Sequence, residues 1–145
     1  MIRIEIPGLP PSVNAERGKL RQAMRKRREF KATVHAAVFD ANLEGIGLGS
    51  RERPVRVEIV YVFGPRRRSS DTFNREKALL DALTTAGVLY DDRWVKIGEI
   101  TSVWGPEDRT LVKLWEVDEP TLEQVMEWFD APHPLMERVM GGRRG

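Results

Sequence analysis

One apolar stretch decides the fold of this chain: Val55-Arg56-Val57-Glu58-Ile59-Val60-Tyr61-Val62-Phe63. Its apolar side chains recur at every second position, which is the period of a β-strand. Val60 and Val62 add apolar side chains to the second face, and this predicts a central strand covered on both sides. A Gly-Pro pair follows and ends the strand.

Around this strand, the apolar spacing alternates between the periods of strands and helices. The first predicted elements are a strand at Ile2–Ile6 and a helix whose buried face is Phe30, Val34, Ala37, Val38 and Ala41. After the central strand come a helix from Asp71 or Thr72 to Gly87 and a hairpin that turns at Gly105–Asp108. The last predicted element is a helix whose inward side chains are Leu122, Val125, Met126 and Phe129. The basic segment from Ala15 to Lys31 is expected to be a mobile loop that enters the first helix. The order β-α-β-α-β-β-α predicts an α+β fold, a single domain with a mixed β-sheet and helices packed on it. A chain of 145 residues fits one such domain.

The composition excludes several classes of site. The chain has no cysteine, which removes disulfides, zinc ribbons and thiol nucleophiles, and its two histidines are too few for a His-rich metal site. Any bound metal is therefore expected to be a hard cation held by carboxylates. No apolar run approaches the roughly 18 residues of a membrane span, so we expect a cytoplasmic protein with no membrane partner.

The charges are divided unevenly along the chain. Residues 1–70 contain 15 basic and 7 acidic side chains, whereas residues 71–145 contain 9 basic and 15 acidic ones. This asymmetry suggests a surface for a polyanion beside an acidic cluster. Solvated charged faces are the alternative explanation.

Groups that can bind a metal and a phosphate are concentrated between Arg66 and Val95. Asp71 and Asp92 are able to supply carboxylate oxygens to Mg²⁺, and Lys77 is able to hold a phosphate. A metal so held would activate water and neutralise charge on a phosphoryl group. The segment therefore predicts a phosphodiesterase site.

Each of these residues also has a purely structural explanation. Asp71 is a suitable helix N-cap, and Lys77 stands four residues before Asp81, the spacing of a surface ion pair. Asp91-Asp92 is ordinary turn composition. These alternatives stay open on the residues alone.

Two blocks of the sequence resemble the RusA-type Holliday junction resolvases, a family of crossover junction endodeoxyribonucleases. The blocks are Pro7–Asn14 and Arg66–Asp92, the second with Asp71-Thr72-Phe73-Asn74, Lys77–Leu83 and Asp91-Asp92. The resemblance implies a homodimeric, Mg²⁺- or Mn²⁺-dependent endonuclease that binds four-way junction DNA and makes paired nicks in DNA recombination and repair. Such resolvases are often phage products. Residues 1–117 would form the nuclease domain, and residues 118–145 would add a C-terminal helix and a basic tail.

The resemblance assigns roles to individual residues. The first aspartate of the family motif falls on Asp71, its asparagine on Asn74, its lysine on Lys77 and its last aspartate on Asp92, with Asp91 just before it. By this correspondence Asp71, Lys77 and Asp92 are catalytic. Asp71, Asp91 and Asp92 are the implied metal ligands.

The second aspartate of the family motif falls on Phe73, which cannot bind a metal. Three outcomes are open: the remaining carboxylates suffice, with Glu76 recruited; the protein binds junctions without cutting them; or it cuts slowly with altered specificity. An exposed Phe73 could also act as a wedge in a base step at the junction. Its structural alternative is a hydrophobic staple or a core contact.

Polar and basic residues would then follow the phosphate backbone of the DNA, where contacts give affinity and little sequence information. The candidates for DNA binding are Asn14, Arg17, Arg25, Lys26, Arg27, Arg66, Arg67, Arg68 and Asn74. A catalytically inactive junction-binding protein and a general basic nucleic-acid-binding module are the competing hypotheses.

Overall fold

Four strands and three helices make up the part of the chain that the computed structural model describes, residues 1–12, 20–66 and 75–131. The elements are β1 (Ile2–Pro7), α1 (Leu20–Asp40), β2 (Val55–Phe63), α2 (Arg75–Thr85), β3 (Val95–Trp104), β4 (Arg109–Glu116) and α3 (Leu122–Asp130), with a 3₁₀ turn at Asp92–Trp94 before β3. The strands form one mixed sheet. This confirms the predicted α+β fold and the order of its elements.

The sheet has the strand order β1-β4-β2-β3, so the predicted hairpin between β3 and β4 is wrong. β3 pairs with β2 in parallel, and β4 pairs antiparallel with both β1 and β2. The intervening segment crosses the end of β2: Gly105 donates its N–H to the Phe63 carbonyl at 2.8 Å, and Gly64 donates to Asp108 Oδ1 at 2.7 Å. The chain does bend at Gly105–Asp108, where the hairpin turn was predicted. A turn signal, however, does not specify which strand the chain pairs with after the turn.

The two ends of β2 define the two ends of the sheet. Its C-terminal end, here called the Phe63 end, also contains Pro7 of β1 and Trp104 of β3. Its N-terminal end, the Val55 end, also contains Val95, where β3 begins. Eight steps of about 3.3 Å along β2 put the two ends about 26 Å apart.

The hydrophobic core lies on one face of the sheet, between the strands and helices α1 and α2. Alternate residues of β2 are fully buried there, together with Val34 of α1 and Leu83 of α2. On the other face of β2, Arg56 is exposed, Val60 is half-buried and only Val62 is buried. The prediction that β2 is covered on both sides is therefore wrong, because both packed helices lie on the same face.

The basic segment that was predicted to be a loop is largely helical. Helix α1 begins at Leu20 and includes every basic residue from Arg21 to Lys31. Ala23 and Phe30 are buried and attach this half of α1 to the domain. The many charged residues around them made this buried pair hard to recognise in the sequence. Helix α2 ends at Thr85, two residues before the predicted stop at Gly87, whose φ of +79° suits glycine, and Val88 donates its N–H to the Leu83 carbonyl.

Every residue from Asp118 to Ala131 is exposed, including the whole of α3. The helix predicted here is present, but its apolar stripe does not face the core. None of the described helices is long and apolar enough to span a membrane.

Candidate functional site

The predicted site residues fall partly outside the described residues. Outside lie Asn14, Arg17, Arg67, Arg68, Asp71, Phe73 and Asn74. Within the described residues lie Lys77, Asp91 and Asp92, with Arg25, Lys26, Arg27 and Arg66.

Lys77 lies in the first turn of α2, at the Phe63 end, and its side chain is exposed. It lines a small cleft between α1 and α2 together with Asp81, Arg27 and Lys31. Among the ion pairs of the described chain, the one predicted between Lys77 and Asp81 does not occur, so the structural alternative for Lys77 loses its support. Three cations of this kind around one opening favour a phosphate group as its ligand.

Arg75 fixes the start of α2, and sequence reasoning missed it. Its side chain is buried, and Nη1–H donates to the carbonyl of Pro10. The guanidinium carbon also lies 5.7 Å from the centre of the Phe63 ring. Arg75 therefore joins the first sequence block, around Pro10, to the second. Its position directly after the aspartate-asparagine motif was the only signal in the sequence.

A hydrogen bond between Tyr61 of β2 and Glu76 of α2 supports the same turn of α2. Tyr61 is fully buried, and its hydroxyl donates to Glu76 Oε1 at 3.2 Å. Burial, and then the negative charge of Glu76, raise the pKa of Tyr61 far above its ordinary range. The hydroxyl therefore stays protonated and remains a donor. A carboxylate accepts several hydrogen bonds, so this contact leaves Glu76 with unused acceptor capacity.

Asp91 and Asp92 lie at the Val55 end. Asp91 caps the 3₁₀ turn: Oδ1 accepts the backbone N–H of Arg93 at 3.0 Å, and Oδ2 lies 3.0 Å from Arg93 Nε. The backbone hydrogen bond from Arg93 lowers the pKa of Asp91 below its ordinary value. Both carboxylate oxygens of Asp91 therefore contact Arg93 within the same turn, whereas the carboxylate of Asp92 is exposed.

The segment before these aspartates is held by short backbone pairing. Tyr90 donates its N–H to the Leu48 carbonyl at 2.9 Å, and Leu48 donates to the Val88 carbonyl at 2.8 Å. The glycine-rich connection around Leu48 therefore acts as a support for the loop that carries Asp92.

The structure does not bring Lys77 and Asp92 together within one chain. Lys77 lies at the Phe63 end and Asp92 at the Val55 end, and the length of β2 between them is about 26 Å. Within residues 1–12, 20–66 and 75–131, no cluster of three carboxylate or histidine side chains could hold a metal ion. Asp92 is by its chemistry a suitable ligand for Mg²⁺, which takes one or two carboxylates and keeps several waters.

The described cations of the predicted DNA surface collect at one end of the domain. Arg25 and Lys26 are exposed on the first half of α1, and Arg66 is exposed where β2 ends. Lys26 lines a groove with the Pro7–Ser12 segment and Arg75, which places this half of α1 at the Phe63 end. The cations therefore lie at the same end as Lys77, all but Arg66 on helix α1.

A comparison with protein families supplies the context for this arrangement. The family described as endodeoxyribonuclease RusA matches residues 14–115, most of the chain, and the match ends before α3. It confirms the resemblance that the two sequence blocks indicated. No curated protein matches the chain.

Proposed function

The chain belongs to the RusA endodeoxyribonuclease family, and from that membership we propose that it is a structure-selective endonuclease that resolves four-way DNA junctions by metal-dependent paired cleavage. The observation that carries the proposal is the family match over residues 14–115, which includes the whole of the second sequence block, Arg66–Asp92. The exposed Lys77 and Asp92 and the cations of α1 support it, because they supply the phosphate-binding and metal-binding groups that the reaction needs. The proposed setting is DNA recombination and repair.

Asp71, Asp91 and Asp92 would hold Mg²⁺ or Mn²⁺. The structure describes Asp91 and Asp92, and Asp92 is the more accessible of these two. When bound, the ion supplies charge neutralisation at the phosphate and a more acidic water. Lys77 would hold the scissile phosphate as a point charge, while Arg75 and the Tyr61–Glu76 pair keep its helix turn in place. In the net reaction, a water oxygen forms a bond to phosphorus and one bridging P–O bond breaks.

We also propose a homodimer, and an uncovered apolar strip on β3 supports it. Ile97, Ile100 and Trp104 pair in register with buried residues of β2, so they belong to the face that the helices cover. They are nevertheless 44%, 37% and 61% exposed. A second copy packed here would bury the strip.

Such a dimer would also resolve the separation within one chain. If the two β3 strands lie antiparallel about a two-fold axis, the Phe63 end of one copy meets the Val55 end of the other. Lys77 of one copy then approaches Asp92 of the second copy. Two composite sites result, which suits paired nicks.

The first test is cleavage of a labelled synthetic four-way junction, with a linear duplex as control, in EDTA, Mg²⁺ and Mn²⁺. The native protein is expected to nick only the junction and only with a metal. Asp92→Asn should abolish nicking, a loss of at least about 100-fold since it removes a metal ligand, with junction binding retained. Asp118→Asn is the matched control, because Asp118 is an exposed carboxylate at the same end outside the family match.

An inactive or weak junction-binding protein is the second candidate, and Phe73 in place of a carboxylate favours it. Tight junction binding without nicks in any metal would select it over the nuclease. Phe73→Asp restores the expected carboxylate and should raise the nicking rate if that ligand limits it. An unchanged rate would show that the site works without it. A basic module of no structure preference would bind the linear duplex equally well and would be indifferent to Asp92→Asn.

A further inference from the structure

Helix α3 presents an apolar stripe to solvent. Leu122, Val125, Met126 and Phe129 follow helical spacing and are 77%, 38%, 47% and 73% exposed. A capping box at Thr121 and Gln124 specifies where the helix begins. A nine-residue helix is marginal by itself in water, so packing against another surface is required to stabilise it.

The charges of α3 complement those of α1. Residues 118–131 contain five acidic side chains and no basic one, whereas residues 20–31 contain six basic and one acidic. The same half of α1 exposes Leu20 and Met24, which are 71% and 52% accessible. The first half of α1 thus has exposed apolar side chains surrounded by basic ones. Helix α3 has an apolar stripe bordered by acidic side chains, so the two surfaces are complementary.

Helix α3 cannot reach Leu20 and Met24 of α1 in its own chain. Glu119 is held at the Val55 end by Lys96, at 3.2 Å. From there, three extended residues and a nine-residue helix reach roughly 24 Å, which is less than the length of the sheet. Lys31, the last residue of the basic half of α1, lies beside Asp81 of α2, and Met24 and Leu20 lie about 10 and 16 Å farther along α1, on the side away from the Val55 end.

We propose that α3 of one copy docks on the first half of α1 of a second copy, with its apolar stripe on Leu20 and Met24 and its carboxylates facing the surrounding arginines. The inference rests on the homodimer proposed above, which places the Phe63 end of each copy beside the Val55 end of the other. The docked helix covers cations that would otherwise contact phosphates. Junction DNA and α3 therefore compete for the same surface, so α3 acts as an intersubunit clasp that DNA displaces.

A disulfide crosslink in the full chain tests this directly, because the protein contains no cysteine of its own. The double variant Met24→Cys/Met126→Cys should form covalent dimers on oxidation, since docking brings the two Cα atoms within disulfide range. Glu107→Cys/Met126→Cys is the matched control: Glu107 is also exposed at the Phe63 end but lies off α1, and it should not crosslink. Saturating junction DNA, added before oxidation, should suppress the Met24–Met126 dimer.

The oxidised dimer should also bind junctions with a shallower salt dependence. Covering about three phosphate contacts lowers the slope of log affinity against log salt by about 3, and reduction should restore it. Crosslinking within one chain, seen as a faster-migrating monomer, would overturn docking on a second copy, and crosslinking unaffected by DNA would overturn the competition. Light scattering on the native chain separates the two proposals: a dimer that does not crosslink overturns the clasp alone, and a monomer overturns the homodimer and the clasp with it.

Discussion

At the scale of single residues, the contact between Tyr61 and Glu76 has a signature in the pH dependence of stability. The pKa of Tyr61 is raised in the folded state by burial and by the charge of Glu76, while in the unfolded chain it returns to about 10. A raised folded pKa stabilises the protein fully below the unfolded value, and that stabilisation is lost as the pH rises beyond it. The free energy of unfolding should therefore fall by about 1 kcal/mol more between pH 10 and pH 11 in the native protein than in Tyr61→Phe.

Urea unfolding at the two pH values measures this difference. Tyr90→Phe is the matched control, because Tyr90 is the other tyrosine of the chain and is 73% exposed. Tyr90 takes no part in the contact between Tyr61 and Glu76, so this variant should keep the steep decline of the native protein. Equal declines in all three proteins would mean that Tyr61 ionises freely in the fold.

Local chemistry and the family resemblance selected Lys77, Asp91 and Asp92 as candidates, but neither selected Arg75. The partner of Arg75 is the carbonyl of Pro10, 65 residues earlier, and its burial depends on that contact. Composition treats any arginine as a surface charge. Only the assembled fold turns this one into a link between the two motifs.

At the scale of elements, periodicity located the strands and helices well, because one face of most of them contributes to the core. It failed where an element's partner lies far away in the sequence. β3 and β4 read as a hairpin because they are neighbours in sequence, yet β2 lies between them and pairs with both. The basic half of α1 was predicted to be a loop, because Ala23 and Phe30 are the only buried residues among the twelve from Leu20 to Lys31.

The apolar spacing of α3 illustrates the opposite limit. The sequence correctly predicts a helix with one apolar face, but the same pattern would arise whether that face packs on its own domain or on another copy. The exposure of α3 and its charge complementarity to α1 are needed to choose between these possibilities.

At the scale of the whole molecule, the separation of Lys77 from Asp92 leads to a prediction about mixed dimers. Lys77→Ala and Asp92→Asn should each be inactive alone. In a mixed dimer with composite sites, one site combines both substitutions and the other combines the native Lys77 of one copy with the native Asp92 of the second. A one-to-one mixture, exchanged to equilibrium, should therefore recover about one quarter of the native nicking rate, since about half of the dimers are mixed and each has one intact site.

The recovered activity should consist of single nicks rather than paired ones, because the second site of each mixed dimer carries both substitutions. If each site were built within one chain, every site in the mixture would contain one substitution and the mixture would stay inactive. A mixture of Lys77→Ala with Phe73→Ala is a useful comparison, since Phe73 is only four residues before Lys77 in the sequence and would belong to the same half-site in the composite arrangement. That mixture should regain no more activity than Phe73→Ala supplies alone, whereas Lys77→Ala with Asp92→Asn regains activity that neither parent has.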